Sequence, residues 1–242
     1  MSDAGGRVGA EAVRRRRQAT IWVAAGVVLV LACAGLIGWA AVRSDRPSVP
    51  TSAVTPRGLV DGSGVLAGTP GPSAKATVAV YEDFICPICE RFEQVVGPDV
   101  AQLAAGGTAR VVYHPVAILD EFSTTKYSTR ALAAAGCAID QGKFLAYRAL
   151  LFAHQPAERS AGPSDAELAR LGGQVAGMDV AVFTRCVTAK RYRDWAAKVS
   201  DEAYASGVHG TPTIKVNGKA LGQDTVPSFA DIKAAVDKAN GR

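Results

Sequence analysis

The chain of 242 residues is predicted to fold as an α/β domain with a helical insertion, preceded by one N-terminal transmembrane helix and a flexible linker. Three observations carry that expectation. Residues 77–114 read as strand, helix, strand, and residues 122–200 are helical in pattern before the chain returns to a strand, a tight turn and a last helix. Ahead of these stands an uncharged apolar run of 22 residues, Ile21 to Val42.

That run is long enough to cross a bilayer core as a helix. Arg14-Arg15-Arg16-Arg17 directly precedes it, which puts residues 1–18 in the cytoplasm as a basic tail and everything after Arg43 outside. Trp22 and Trp39 sit near its two ends, at interfacial depth. The rival readings are a cleaved signal peptide, which has a shorter apolar region, and a lipidated Cys33, after which the apolar run should have ended. Residues 19–42 are therefore expected to be an uncleaved anchor. The net charge of +5 is largely an N-terminal matter: five arginines face two acids up to residue 42, and 22 basic residues face 20 acidic ones beyond it. No basic footprint for nucleic acid follows.

Residues 43–72 are rich in Pro, Ser, Thr and Gly and poor in large apolar residues, as in a tether. The folded domain is expected over 73–242, with a short first strand possible within 58–67 and the helical insertion over about 120–205.

The strand Thr77 to Glu82, expected to be buried on both faces, leads through Phe84 into Cys86-Pro87-Ile88-Cys89 and a helix. A C-x-x-C delivered by a strand to a helix start is the layout of a dithiol redox site. The helix N-terminus offers unpaired N–H groups and partial positive charge that favour a thiolate at Cys86, and Pro87 costs no helical hydrogen bond there. A zinc site would need two further ligands, and His114, His154 and His209 are scattered singly. A purely structural disulfide is the other alternative.

Gly97-Pro98 should kink or restart the first helix, and Ala109 to His114 should form a parallel strand beside the first. Further helices are expected near 124–139, 142–154, 165–171, 180–186 and 189–205, with Lys126 and Arg130 solvated. Of the five cysteines (33, 86, 89, 137 and 186), four lie beyond the apolar run, an even count that suits an oxidising compartment. Three pairings are possible, and the spacing favours 86–89 with 137–186; free buried cysteines are the alternative for Cys137 and Cys186. Thr213 to Val216 alternates up to Asn217-Gly218, a strong hairpin signal. Pro212 opens that strand, where proline is tolerated, and the final helix should set Phe229, Ile232 and Val236 on one face.

The ordered set Asp83-Phe84-x-Cys-Pro-x-Cys, helical insert, Gly-Thr-Pro-Thr and x-Val-Asn-Gly resembles the thioredoxin superfamily over roughly residues 58–242, in its DsbA-like branch and specifically the membrane-anchored actinobacterial thiol-disulfide oxidoreductases. The resemblance implies a thioredoxin fold with an inserted helical domain, an exposed attacking Cys86, a buried resolving Cys89 and a cis Thr211–Pro212 bond facing the dithiol. The Thr211 backbone would pair with an extended substrate, and the helical insert with Phe84, Ile88 and Pro212 would border a groove for unfolded polypeptide. His209, three residues before Pro212, reads either as a surface or loop residue or as a modulator of the thiolate or of substrate contact. The same resemblance often brings a second disulfide, here Cys137–Cys186. Two departures stand out. Ile88 replaces the histidine of DsbA proper, and Val80 occupies the position where many relatives carry a buried acid; neither Glu82 nor Asp83 is assigned that role.

The expected chemistry is introduction of disulfides into exported, reduced proteins by exchange at Cys86–Cys89, with no cofactor and no metal. The expected partners are unfolded polypeptide substrates and a membrane-bound, quinone-linked reoxidant, with the enzyme itself a tethered monomer. A reductase or isomerase running the same site in reverse is the alternative, and a metal-handling or inert binding module on the same fold comes further behind.

Overall fold

A computed structural model describes residues 53–72, 74–222 and 225–242. Its organising element is β2 (Thr77–Glu82), which pairs in parallel with β3 (Arg110–Pro115) on one side and antiparallel with β4 (Thr213–Val216) on the other. β1 (Val65–Ala67) adds antiparallel to the far side of β3, and β5 (Lys219–Ala220) closes the other edge against β4. The sheet order is β1-β3-β2-β4-β5. A parallel pair needs a crossover, and α1 (Pro87–Val95) and α2 (Gly97–Ala105) supply it. Proline at the second position of α2 breaks the helix there, as the sequence requires.

β2 is more one-sided than its apolar run suggests. Val78, Val80 and Glu82 are buried, whereas Thr77, Ala79 and Tyr81 are half-buried. The hairpin from β4 to β5 turns on Asn217 (φ 47°) and Gly218 (φ 80°), the two positive φ values that a two-residue turn of this hand demands. Behind the sheet, α8 (Phe229–Asn240) begins with a reciprocal Ser228–Asp231 cap and buries Ile232 and Val236.

The helical insertion lies between β3 and β4: a 3-10 turn (Asp120–Phe122), then α3 (Tyr127–Asp140), α4 (Phe144–Ala153), α5 (Asp165–Gly172), α6 (Val180–Thr188) and α7 (Arg193–Ala205). α3 is its axis, with eleven of fourteen residues buried. Ala and Gly dominate that helix because neighbours approach closely; a Cβ on Gly136 would sit 2.9 Å from the Tyr192 ring. Trp195 of α7 is buried and donates its indole N–H to Gly62 O at 3.0 Å, tying the insertion to the turn before β1. Arg130 is not a solvated residue: its guanidinium donates to the carbonyls of Thr125, Ala161 and Pro163 and pairs with Asp165, closing the loop before α5.

The expected transmembrane helix needs correcting. Among the described residues no helix is long and apolar enough to cross a membrane. The longest, α3, has 14 residues, or roughly 21 Å at ~1.5 Å per residue against a hydrocarbon core of about 30 Å. The run Ile21 to Val42, on which the anchor, the cytoplasmic N-terminus and the single-pass topology were all expected, lies outside the described residues. Membrane anchoring and a membrane-bound, quinone-linked reoxidant accordingly form no part of the account below.

Candidate active site

The dithiol sits where β2 gives way to α1. Cys86 is the residue capping α1, in extended conformation, and Pro87 occupies the first helical position, so the first helical N–H is that of Ile88, while the Cys89 N–H also donates to the Cys86 carbonyl at 3.0 Å. Both cysteines are free and both are buried, Cys86 at 4% exposure and Cys89 at 2%. The expectation of an exposed Cys86 therefore fails on area. The Thr211 carbonyl lies 3.2 Å from the Cys86 sulfur and covers it. Thr211–Pro212 is cis, and both residues are half-buried beside the dithiol.

What separates the two thiols is their surroundings. Cys89 donates to the Cys86 sulfur, and with the N–H groups of Cys89 and Ile88 this brings the Cys86 thiol down to about 6 against the opposing effect of burial. Cys89 is pushed well above the ordinary thiol value, first by burial and then by its bond and proximity to Cys86. The Thr211 carbonyl can only accept, so it favours the neutral Cys86 thiol. The Thr211 hydroxyl, buried and without a hydrogen-bond partner among the described residues, is the donor that a thiolate can recruit. The Cys89 thiol first, then the Thr211 side chain and the Cys89 and Ile88 N–H groups, outweigh burial, and the result is one thiol poised to ionise near neutrality and one held protonated.

Two buried carboxylates flank this junction. Asp83 is fully buried; its Oδ1 accepts from the Ile85 N–H (3.1 Å) and the Ser128 hydroxyl (2.6 Å), and its Oδ2 from the N–H groups of Ile118 and Leu119 (3.0 Å each). Burial lifts its carboxyl to about 7, while those donors and the Cys86 charge pull in opposite directions. Glu82 forms a bidentate pair with Arg148 of α4 at 2.5 and 2.6 Å, and Glu93 of α1 takes a third guanidinium N–H at 2.7 Å. The guanidinium also lies 4.2 Å from the Tyr113 ring centroid. Burial works against the charge on Arg148, and the two carboxylates overcome it, holding the guanidinium above the ordinary arginine range.

From the loop after α4, the Gln155 amide donates to the carbonyls of Phe84 (3.1 Å) and Cys86 (3.0 Å). The insertion thus holds the dithiol loop through Ser128, Arg148 and Gln155. None of the three was picked out from the sequence, although a lone arginine in the apolar helix FLAYRALLFA was a signal.

Of the expected groove residues, Ile88 is 52% exposed between the two cysteines. Phe84 is instead a core residue at 0% exposure, packed on Phe152 at 5.3 Å, and cannot touch a polypeptide. His209 is exposed and packs edge-on against Tyr204 at 4.5 Å. Cys137 and Cys186 form a disulfide that joins α3 to α6. Among the described residues no group of three His, Cys, Asp or Glu side chains is placed to hold a metal ion.

A model of the thioredoxin family, described as Thioredoxin, matches residues 64–238. Among solved structures, the reduced form of DsbA from Mycobacterium tuberculosis is 35% identical, with a TM-score of 0.60, over 78% of this chain and 91% of that one. The reduced form of the disulfide bond oxidoreductase DsbG from the same organism is 36% identical, with a TM-score of 0.60, over 78% of this chain and 86% of that one. The Na(+)/H(+) antiporter NhaA 3 of Salinispora tropica is 34% identical over 151 residues, 62% of this chain but 21% of that protein. This chain spans about a fifth of the length of the curated relatives it matches. The fold, the buried dithiol at the start of α1 and the family match agree: the chain belongs to the thioredoxin family, as a DsbA-like thiol-disulfide oxidoreductase.

Proposed function

We propose that this enzyme works as an oxidase, handing the Cys86–Cys89 disulfide to a reduced polypeptide. A substrate thiolate attacks Cys86 Sγ, the Cys86–Cys89 bond breaks, and Cys89 leaves and takes up a proton. The substrate's second thiolate then attacks its own sulfur in the mixed disulfide and expels Cys86 as a thiolate. Two electrons pass to the enzyme and one disulfide forms in the substrate. The observation that carries this reading is the asymmetry of the pair. Cys86, held down near 6, is the better leaving group and stabilises the reduced enzyme, which is what makes a dithiol oxidising.

Ile88 supports the same reading as an exposed apolar contact for unfolded chain, and the Thr211 carbonyl against Cys86 supports a role for the Thr211 backbone, with Pro212 and His209 as the further proposed contacts. Within the family, identities of 35% and 36% to two mycobacterial proteins support an actinobacterial affinity. The reverse reading, a reductase or isomerase, is favoured by one feature: the Ile88 side chain offers no donor or charge to the thiolate, which leaves only its backbone N–H. The test is refolding of a reduced, unfolded protein by the oxidised enzyme. Disulfide formation in step with loss of Cys86–Cys89 is expected, with Cys89→Ala trapping a mixed disulfide on Cys86. Trapping on no substrate, or on Cys89 in the Cys86→Ala variant, overturns the assignment.

A further inference from the structure

The second disulfide lies on the wall of a cavity, and the chemistry around it is lopsided. A cleft of about 590 Å³ is lined by Cys137 and Cys186 together with Arg57, Arg185, Arg191 and Asp140. That volume lies in the range of small-molecule sites. Three guanidinium groups face one carboxylate, and the carboxylate is occupied: Asp140 accepts the Arg57 backbone N–H at 2.8 Å and the Tyr192 hydroxyl, with the Arg57 guanidinium 3.9 Å away. Arg191 donates Nε–H to the Tyr192 oxygen, and neither Arg191 nor Arg185 pairs with a carboxylate among the described residues. On its other side Cys186 meets a recess with room for about one water, flanked by Lys190 and Arg193 and by the Arg130–Asp165 pair. Cys186 is half-buried, whereas Cys137 is 2% exposed.

A positive cleft lined by a half-buried disulfide cysteine concentrates anions where a thiolate must arrive. Fields of this kind raise the association rate of charged ligands by about 10 to 10³. We infer that this cleft is a binding site for a small thiol bearing carboxylates, and that such a thiol exchanges with the Cys137–Cys186 disulfide at Cys186. The attacking thiolate forms a bond to Cys186 Sγ, the Cys186–Cys137 bond breaks, and Cys137 leaves as a thiolate that takes up a proton from solvent. A second thiolate attacks the small molecule's sulfur and releases Cys186. One protein disulfide is reduced and two thiols are oxidised to one disulfide. The step opens the covalent link between α3 and α6 and leaves Cys86 and Cys89 out of the reaction, so it does not depend on the direction proposed for them.

The test uses the full chain carrying Cys86→Ser and Cys89→Ser, with glutathione as the anionic thiol, 2-mercaptoethanol as the neutral one and cysteamine as the cationic one. Mixed disulfides are located by peptide mass, and rates are expressed per thiolate. Glutathione is expected to react at Cys186 about tenfold faster than 2-mercaptoethanol, with cysteamine slowest. Raising the salt to 0.5 M should remove most of that difference, as should Arg185→Glu. Should Arg185→Glu fail to fold, Arg185→Gln and the salt series carry the same comparison. S-methylglutathione, which cannot react, should slow the glutathione reaction by competition. Equal rates for the three thiols, a rate indifferent to salt, attack at Cys137, or a folded protein whose disulfide resists all three would each overturn the inference.

Discussion

The Ser128 hydroxyl donates to the Asp83 carboxylate at 2.6 Å, with both side chains buried, and so fastens the first turn of α3 to the residue three before Cys86. With the N–H groups of Ile85, Ile118 and Leu119 converging on the same carboxylate, Asp83 is the point where strand end, dithiol loop and helical insertion are pinned together.

Asp83→Ala removes that acceptor and strands two buried donors, the Ile85 N–H and the Ser128 hydroxyl, each costing about 1–3 kcal/mol when unsatisfied, and two half-buried ones that cost less. The oxidised protein should lose about 2–6 kcal/mol in urea denaturation, and Ser128→Ala about 1–2 kcal/mol. With its carboxyl at about 7, Asp83 is mostly neutral while Cys86 ionises near 6. Asp83→Asn should therefore move the Cys86 midpoint, followed by absorbance at 240 nm, only slightly, while the carboxyl titration near 7 disappears. A Cys86 midpoint displaced by about one pH unit or more contradicts the placement of Asp83.

The pH dependence of the reduced state follows from Cys86. Its folded value of about 6 lies below the ordinary thiol value, so the thiolate stabilises the reduced protein fully only above the ordinary thiol range. That contribution shrinks as pH falls and is gone below about 6. The stability difference between reduced and oxidised protein should therefore move toward the oxidised form on acidification from pH 9 to 5, measured by paired thermal melts. Cys86→Ser should abolish the dependence.

Arg148 bridges Glu82 and Glu93 and stacks on Tyr113, so Arg148→Leu leaves the fully buried Glu82 without its counter-charge. Losing one partner of such a pair costs about 3–5 kcal/mol. Glu82→Gln with Arg148→Leu together should recover part of that loss, because no charge is then left buried and unpaired. Non-recovery in a double-mutant cycle contradicts the ion-pair account.

The Cys137–Cys186 bond closes a separation of 49 residues, which restricts the unfolded chain by about 4 kcal/mol in the loop-entropy picture. The Cys137→Ala, Cys186→Ala double variant should be destabilised by up to that amount while its dithiol still exchanges with a reduced peptide. Loss of exchange in a folded double variant contradicts the independence of the two sites.

Much of this was legible in the sequence because it rests on local patterns. Pro87, Pro98, Asn217-Gly218 and the apolar stripe of α8 mark their elements through backbone chemistry that acts over a few residues. The dithiol was legible for the same reason: strand, Cys-x-x-Cys and helix are contiguous. What stayed hidden was long-range. Asp83 meets Ser128 across 45 positions and Glu82 meets Arg148 across 66, and neither pairing leaves a periodic trace. Phe84 was misplaced because an aromatic next to a reactive cysteine reads equally as groove or core; Phe152, 68 positions on, decides for the core. The exposure of Cys86 was misjudged likewise, because its cover is Thr211, brought back by β4 from 125 residues away.

The oxidase reading is tested most directly by the redox potential of Cys86–Cys89, equilibrated against glutathione and followed by alkylation and peptide mass of those two cysteines alone. A value at or above about −200 mV is predicted, toward the oxidising end set by a lowered Cys86. A value near about −270 mV, where thioredoxins lie, would mean that the oxidised pair is the favoured state and that electrons flow from this enzyme to its substrate.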